Sequence, residues 1–251
     1  MSKNNRLIVV IPSYEPGEEF VEYAKTVSES AKNIVVVNDG SCEKYDFIFD
    51  EIAKIGNVIY LKSEKNQGKG CALKKAFAYC VDSFDADDVI VTADCDGQHA
   101  AEDVVKVYNA ALENKGFLVL GSRDFTLSNI PPKSQIGNTM FRKAYKRYYG
   151  LSVYDTQTGL RGFNVSLGEA FTDVSGERFE YEMGVLIYAK QHDIPILEVP
   201  IKTIYPENPK EHVTHYKAIR DSLKIWGVVL KNVRKTRKME KQKKKQQQKK
   251  D

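Results

Sequence analysis

Long apolar runs are missing from this chain of 251 residues. No stretch approaches the ~20 apolar residues that cross a bilayer, and the opening Met-Ser-Lys-Asn-Asn-Arg lacks the apolar core of a secretion signal. The protein is therefore expected to work in the cytosol. Cysteine is scarce: Cys42, Cys71, Cys80 and Cys95 show no Cys-x-x-Cys spacing, which excludes a zinc ribbon or a disulfide framework. They are expected to be reduced and mostly buried, with Cys95 a small side chain turned away from its neighbours. His99, His192, His212 and His215 make no metal-binding pair on a helix face.

Apolar residues make up 42% of the chain, enough for one large α/β domain with a full core. The net charge of +4 hides an asymmetry. Lys231 to Asp251 holds eleven Lys or Arg against Glu240 and Asp251, a net of +9, so residues 1–230 carry −5. The chain divides into a mildly acidic body, 1–230, and a basic Lys/Gln tail, 231–251, expected to be disordered or a frayed helix.

Runs rich in Val and Ile alternate with segments of helical period. That pattern predicts a mainly parallel sheet covered by helices on both faces. Strands are expected at about Leu7–Ile11, Ile34–Val37, Val58–Leu61, Val89–Ala93 and Phe117–Gly121, with helices at about Glu18–Ala31, Lys69–Val81 and Ala101–Glu113. Beyond Arg123 a mobile loop is expected over Ser128–Ser134, then a helix at Ile136–Tyr149. A strand pair is expected at Arg161–Val165 and Ile196–Ile204, around a helix at Tyr181–Lys190. Sites in such sheets lie beyond the carboxyl ends of the strands.

The polar clusters fall there. Asp94-Cys95-Asp96-Gly97-Gln98-His99 ends the fourth strand, and two carboxylates one residue apart suit a shared hard cation that holds a diphosphate. The first strand runs into Pro12-Ser13-Tyr14-Glu15-Pro16 and the second into Asn38-Asp39-Gly40-Ser41. A ring beside a carboxylate can seat a nucleobase, although both segments also read as ordinary turns. Asn66-Gln67-Gly68-Lys69-Gly70 opens a helix, allowing close backbone approach with a positive charge near a phosphate. It matches neither the G-x-G-x-x-G nor the P-loop spacing. Gly121-Ser122-Arg123 offers a guanidinium at the same rim. Asp155, in Asp155-Thr156-Gln157-Thr158-Gly159-Leu160-Arg161, is a carboxylate placed to orient an acceptor or take its proton, with Arg161 nearby.

In this order and spacing these segments resemble family 2 glycosyltransferases, and within them the dolichyl-phosphate or polyprenyl-phosphate hexose (mannose or glucose) transferases. The likeness spans about Ile8 to Tyr216. It implies a GT-A type fold, a nucleoside-diphosphate sugar donor, Mg²⁺ or Mn²⁺, and a polyprenyl phosphate or other glycolipid acceptor. By position it implies Pro12, Tyr14, Glu15 and Asp39 around the nucleotide, Asp94 and Asp96 at the metal and diphosphate, and Gln98 at the sugar or its phosphate. Lys69 joins the donor-binding set, and Asp96, Arg123 and Asp155 form the reaction centre. Asn38 stands where relatives usually carry a second aspartate. Many relatives also continue into transmembrane helices.

The implied reaction is a single displacement at the anomeric carbon, and the acceptor decides what Asp155 must do. A lipid phosphate is already anionic, whereas a saccharide or glycolipid hydroxyl, the alternative acceptor of polysaccharide synthesis, needs a general base. Glu180 and Glu182 read either as acceptor neighbours or as acidic residues favoured in a first helical turn. Glu207-Asn208 and His215-Tyr216 resemble the family's segment after the last core strand. The stretch Leu223–Val233, holding the only Trp, can pack on the body or lie on an anionic membrane surface. The different-class alternative is a non-catalytic nucleotide-binding or nucleic-acid-binding protein. The acidic body shows no nucleic-acid module, so no nucleic acid partner is expected.

Overall fold

Leu-Ile-Val-Val-Ile-Pro-Ser is buried at every position and forms β1 (Leu7–Ser13), an interior strand of a seven-stranded sheet of order β3-β2-β1-β4-β6-β5-β7. The other strands are β2 (Asn33–Asn38), β3 (Val58–Lys62), β4 (Val89–Thr92), β5 (Leu118–Arg123), β6 (Arg161–Asn164) and β7 (Ile196–Ile201). All neighbours are parallel except β6, which runs antiparallel to both β4 and β5. The computed structural model describes residues 5–125, 132–202 and 218–247. Most of the expected loop over 128–134, the segments Glu207-Asn208 and His215-Tyr216, and Ile204 at the expected strand end lie outside the described residues.

Buried parallel strands need apolar side chains on both faces, and the alternation along β1 shows this directly. Ile8 and Val10 point into one core, and Leu7, Val9 and Ile11 into the other. The second core is closed by α1 (Glu19–Ser28), α2 (Asp46–Ala53) and α4 (Ala101–Glu113). The first is closed by α3 (Lys69–Ser83), α5 (Pro132–Tyr149), α6 (Gly168–Thr172), α7 (Glu180–Gln191) and the N-terminal half of α8 (Ala218–Gln247). Tyr145 and Tyr181 are buried here, and each hydroxyl donates to a backbone carbonyl, of Met183 at 2.8 Å and Phe171 at 2.7 Å. Without those partners each buried hydroxyl would cost ~1–3 kcal/mol.

Several expectations are corrected. Arg161–Asn164 and Ile196–Ile201 do not pair with each other, because β5 lies between them, antiparallel to one and parallel to the other. β7 is one of the two edge strands, where Pro200 can sit without breaking a ladder. Helix α2 was not expected: its Phe47, Ile48 and Phe49 run together and blur the helical period, although Ile48, Phe49 and Ile52 face inward and Phe47 is exposed. Only Cys80 is buried; Cys71 and Cys95 are half-buried and Cys42 is exposed. Of the two states expected for the tail, the described residues show the helix: α8 runs unbroken across Lys231 to Gln247. Among the described residues no helix is long and apolar enough to cross a membrane.

Candidate active site

The chain builds β1, β2 and β3 outward and then returns to the other side of β1 with β4, which opens a crevice at the carboxyl ends of β1 and β4. Pro12 is buried at the end of β1, and Tyr14 and Glu15 follow it half-buried. Glu15 takes a left-handed backbone conformation (φ 46°), uncommon outside glycine, and its N–H donates to the Ser41 hydroxyl at 2.8 Å. That contact ties the loop after β1 to the loop after β2.

Asp39 lies at the end of β2 and accepts from the backbone N–H groups of Gln67 (3.0 Å) and Gly68 (2.6 Å), where α3 begins. Burial raises its carboxyl above the ordinary carboxylate value, and the two N–H donors only partly oppose this. Asn38 is not merely a lost carboxylate. Its Oδ1 accepts the Ser41 N–H at 2.8 Å while its Nδ2 donates to the Tyr60 hydroxyl at 2.9 Å, so the amide shapes the turn that presents Asp39. An open cleft of about 370 Å³ lies beside this turn, lined by Lys62, Lys65, Gln67 and Lys75 among others.

At the end of β4 the charges are concentrated. The Lys69 ammonium, from the first turn of α3, contacts Asp94 Oδ1 at 2.7 Å and Glu182 Oε2, from the first turn of α7, at 2.9 Å. Burial works against the Lys69 charge, but the two carboxylates outweigh it and hold the ammonium above its usual range. Burial likewise opposes ionisation of Asp94, yet Lys69 and then His99 outweigh it and bring the carboxyl down to about 2. His99 Nδ1 accepts the Asp94 N–H at 3.1 Å, closing the turn. Asp96 Oδ1 accepts the Gln98 N–H at 3.0 Å. Gly159 leaves room for this cluster: a β-carbon there would sit 2.5 Å from Asp94 Oδ2. Burial pushes the Cys95 thiol up to about 12, so it stays protonated between the two aspartates.

A carboxyl held low in the folded state contributes stability above its unfolded value near 3.9, and that contribution is lost as the pH falls toward 2. Wild type is therefore expected to be more stable than Asp94→Asn at neutral pH. The gap should close between about pH 4 and pH 2, read from urea midpoints at each pH.

Arg123 and Asp155 form the second half of the site. Asp155 is 0% exposed. Its carboxylate accepts Arg123 Nε at 2.6 Å and Nη2 at 2.9 Å in a two-pronged pair, and Oδ1 also accepts the Gln157 N–H at 3.1 Å. The Arg123 guanidinium lies 5.1 Å from the Phe125 ring centroid. The loop itself is held from both sides. Glu198 of β7 accepts the N–H groups of Tyr154 and Asp155 at 2.8–2.9 Å. Asn138 of α5 accepts the Thr156 N–H at 3.0 Å and donates to the Tyr154 carbonyl at 2.7 Å. Arg161 does not reach this pair. It is buried, donating to the carbonyls of Thr158 (3.0 Å) and Glu182 (2.6 Å), and so joins the Asp155 loop to α7.

The donor set at the end of β4 suits a divalent cation. Asp94 and Asp96 offer carboxylate oxygen, the hard donor that Mg²⁺ and Mn²⁺ prefer, and His99 Nδ1 is taken up by the backbone N–H of Asp94. Among the described residues no three His, Cys, Asp or Glu side chains are arranged to hold a metal. One or two carboxylates, with substrate phosphates and water completing the shell, is how such ions are bound in nucleotide-using sites.

Residues 8–171 match the glycosyl transferase family 2 model. The chain belongs to family 2 of the glycosyltransferases. This family 2 glycosyltransferase is 31% identical over 223 residues, 80% of its length and 86% of the relative's, to the UDP-N-acetylglucosamine–dolichyl-phosphate N-acetylglucosaminyltransferase of Methanococcus voltae. It is 25% identical to the polyprenol monophosphomannose synthase of Mycolicibacterium smegmatis, covering 78% of its own length and 76% of the relative's. Its fold is that of glucosyl-3-phosphoglycerate synthase from Mycobacterium tuberculosis, crystallised with Mn²⁺, UDP and glucosyl-3-phosphoglycerate. The TM-score is 0.69 at 16% identity, over 92% of this chain and 80% of that one.

Of two further contributors to the candidate site, one was left between two readings by the sequence and the other was not assigned from it. Glu182 shares the Lys69 ammonium with Asp94, although its position in a first helical turn has a sufficient local explanation. Glu198 caps the Asp155 loop, and its only signal was a charge inside the apolar run Ile-Leu-Glu-Val.

Proposed function

We propose that this glycosyltransferase moves a hexose from a nucleoside-diphosphate sugar to the phosphate of a polyprenyl, dolichyl-type lipid at the cytosolic face of a membrane. The relatives named for dolichyl-phosphate and polyprenol chemistry support that acceptor class. The observation that carries it is Asp155: fully buried, with both carboxylate oxygens already accepting. Such a group is poorly placed to take a proton from a hydroxyl. A phosphate acceptor arrives as an anion and needs no base.

In this reading Pro12, Tyr14, Glu15 and Asp39 receive the nucleotide, and Gln98 meets the sugar or its phosphate. Asp94 and Asp96 would hold Mg²⁺ or Mn²⁺; when bound, the ion supplies positive charge against the departing diphosphate. Lys69 keeps Asp94 ionised and oriented. Arg123, aimed by Asp155, faces the reacting phosphates and stabilises charge that builds as they react. An acceptor phosphate oxygen bonds to the anomeric carbon as the bond to the diphosphate breaks, and the nucleoside diphosphate leaves.

The test is transfer of label from a panel of GDP- and UDP-sugars into butanol-extractable product, with polyprenyl phosphate and Mg²⁺ or Mn²⁺. The expected result is organic-phase label from one donor class that disappears with EDTA. Donor hydrolysis without lipid product would overturn the acceptor, and no turnover of any donor would overturn the activity.

A further inference from the structure

Charge and exposed apolar surface are gathered on two neighbouring helices in a way the transfer reaction does not require. α5 and α8 together hold sixteen Lys or Arg against Asp221 and Glu240, a net of +14 in a chain whose net is +4, so the rest of the chain carries −10. Among the described residues five large apolar side chains are exposed, and four of them are on these helices: Ile136 (69%), Met140 (37%), Leu223 (67%) and Leu230 (53%).

The two properties share faces. On α5, Ile136, Met140, Lys143 and Arg147 recur every three or four residues and are all exposed, while Phe141 and Tyr145 are buried. On α8, Ile225, Val229 and Thr236 point inward. Val229 accepts the Tyr149 hydroxyl through its carbonyl, and Thr236 accepts from Gln191 at 2.8 Å. The other side of the same helix carries Leu223, Leu230, Arg234, Arg237 and Lys241, all exposed. Trp226 joins the two helices, its ring 5.6 Å from that of Phe141. Both helices cover the same face of the sheet, so their outward stripes belong to one side of the molecule.

We propose that the outward stripes of α5 and α8 form a docking face for an anionic membrane surface. The charge is complementary to acidic lipid headgroups, and leucine, isoleucine and methionine among the basic residues are what a bilayer interface accepts. A nucleic acid backbone would use the charge but has no partner for four exposed apolar side chains. Docking here also has a consequence for the site, because α5 is stapled through Asn138 to the loop that carries Asp155. The bilayer contact thereby fixes the height of that loop above the lipid.

This goes beyond the acceptor reading and is tested without donor or acceptor. The full chain is floated with vesicles of phosphatidylcholine alone, or of phosphatidylcholine with phosphatidylglycerol, over a range of salt. Binding to the phosphatidylglycerol vesicles that weakens with salt is expected. Lys143→Gln, Arg147→Gln and Arg237→Gln in one variant should lower partitioning about a hundredfold. Leu223→Ser with Leu230→Ser should lower it at least about tenfold. All five side chains are exposed, so both variants should melt with wild type. Equal binding to the two vesicle types, wild-type binding by both variants, or retention on duplex DNA with none on phosphatidylglycerol vesicles would each overturn the proposal.

Discussion

Replacing Asp155 with Asn is expected to cut the transfer rate by about 10² to 10³ and to destabilise the protein by roughly 3–5 kcal/mol. The carboxylate is fully buried and meets the Arg123 fork with both oxygens. An amide offers one oxygen where two were needed and turns its NH₂ donors toward guanidinium donors, leaving the partly buried Arg123 charge without the carboxylate that meets it. The loss should fall on kcat more than on the donor KM, because Arg123 would still be present but no longer held in line with the phosphates. Arg123→Lys should keep the charge, lose the two-pronged geometry and give a similar loss of rate. Steady-state kinetics with urea denaturation separates the two effects. Unchanged kcat in a variant that has lost stability would reduce Asp155 to a purely structural residue.

Asp96→Asn is expected to behave differently: a loss of kcat of about 10³ or more with the fold intact. Asn retains an oxygen in the position that accepts the Gln98 N–H, so the turn keeps its hydrogen bond and the stability change should stay within about 1 kcal/mol. What it removes is a negative charge from the pair proposed to hold the divalent ion. Raising the Mn²⁺ concentration should recover part of the activity if weakened metal binding is the defect. Near-normal turnover at ordinary metal concentrations would remove Asp96 from the metal site.

Much of this arrangement was readable in the sequence, for a physical reason. Parallel strands buried on both faces need continuous apolar runs, and the segments following them must be polar where they meet solvent and ligand, so Tyr14, Asp39, Lys69, Asp94 and Arg123 stood out at run ends. Less local features were hidden. The strand order around β5 depends on which partners the last runs meet across the sheet, and nothing within Arg161–Asn164 or Ile196–Ile201 encodes that choice. Glu182 reaches Lys69 from an element more than a hundred residues away, so its local pattern could not decide between a place near the acceptor and a good helix start. Asn38 read as a missing carboxylate because its two hydrogen bonds, to Ser41 and Tyr60, need the folded turn to be seen. The basic character of the tail was visible, but α5 joining it on the same side of the sheet required the three-dimensional arrangement.

The central claim is that the acceptor brings its own charge to a site whose buried carboxylate, Asp155, is already committed to Arg123. It is tested most directly by offering one donor to two acceptors that share a hydrocarbon chain and differ in the attacking group, polyprenyl phosphate and polyprenol, with a saccharide acceptor in parallel. Label should enter the phosphate-linked product alone. Transfer to polyprenol or to the saccharide at a comparable rate would contradict the account, because a hydroxyl acceptor demands a proton-accepting group that Asp155, committed to Arg123, does not supply.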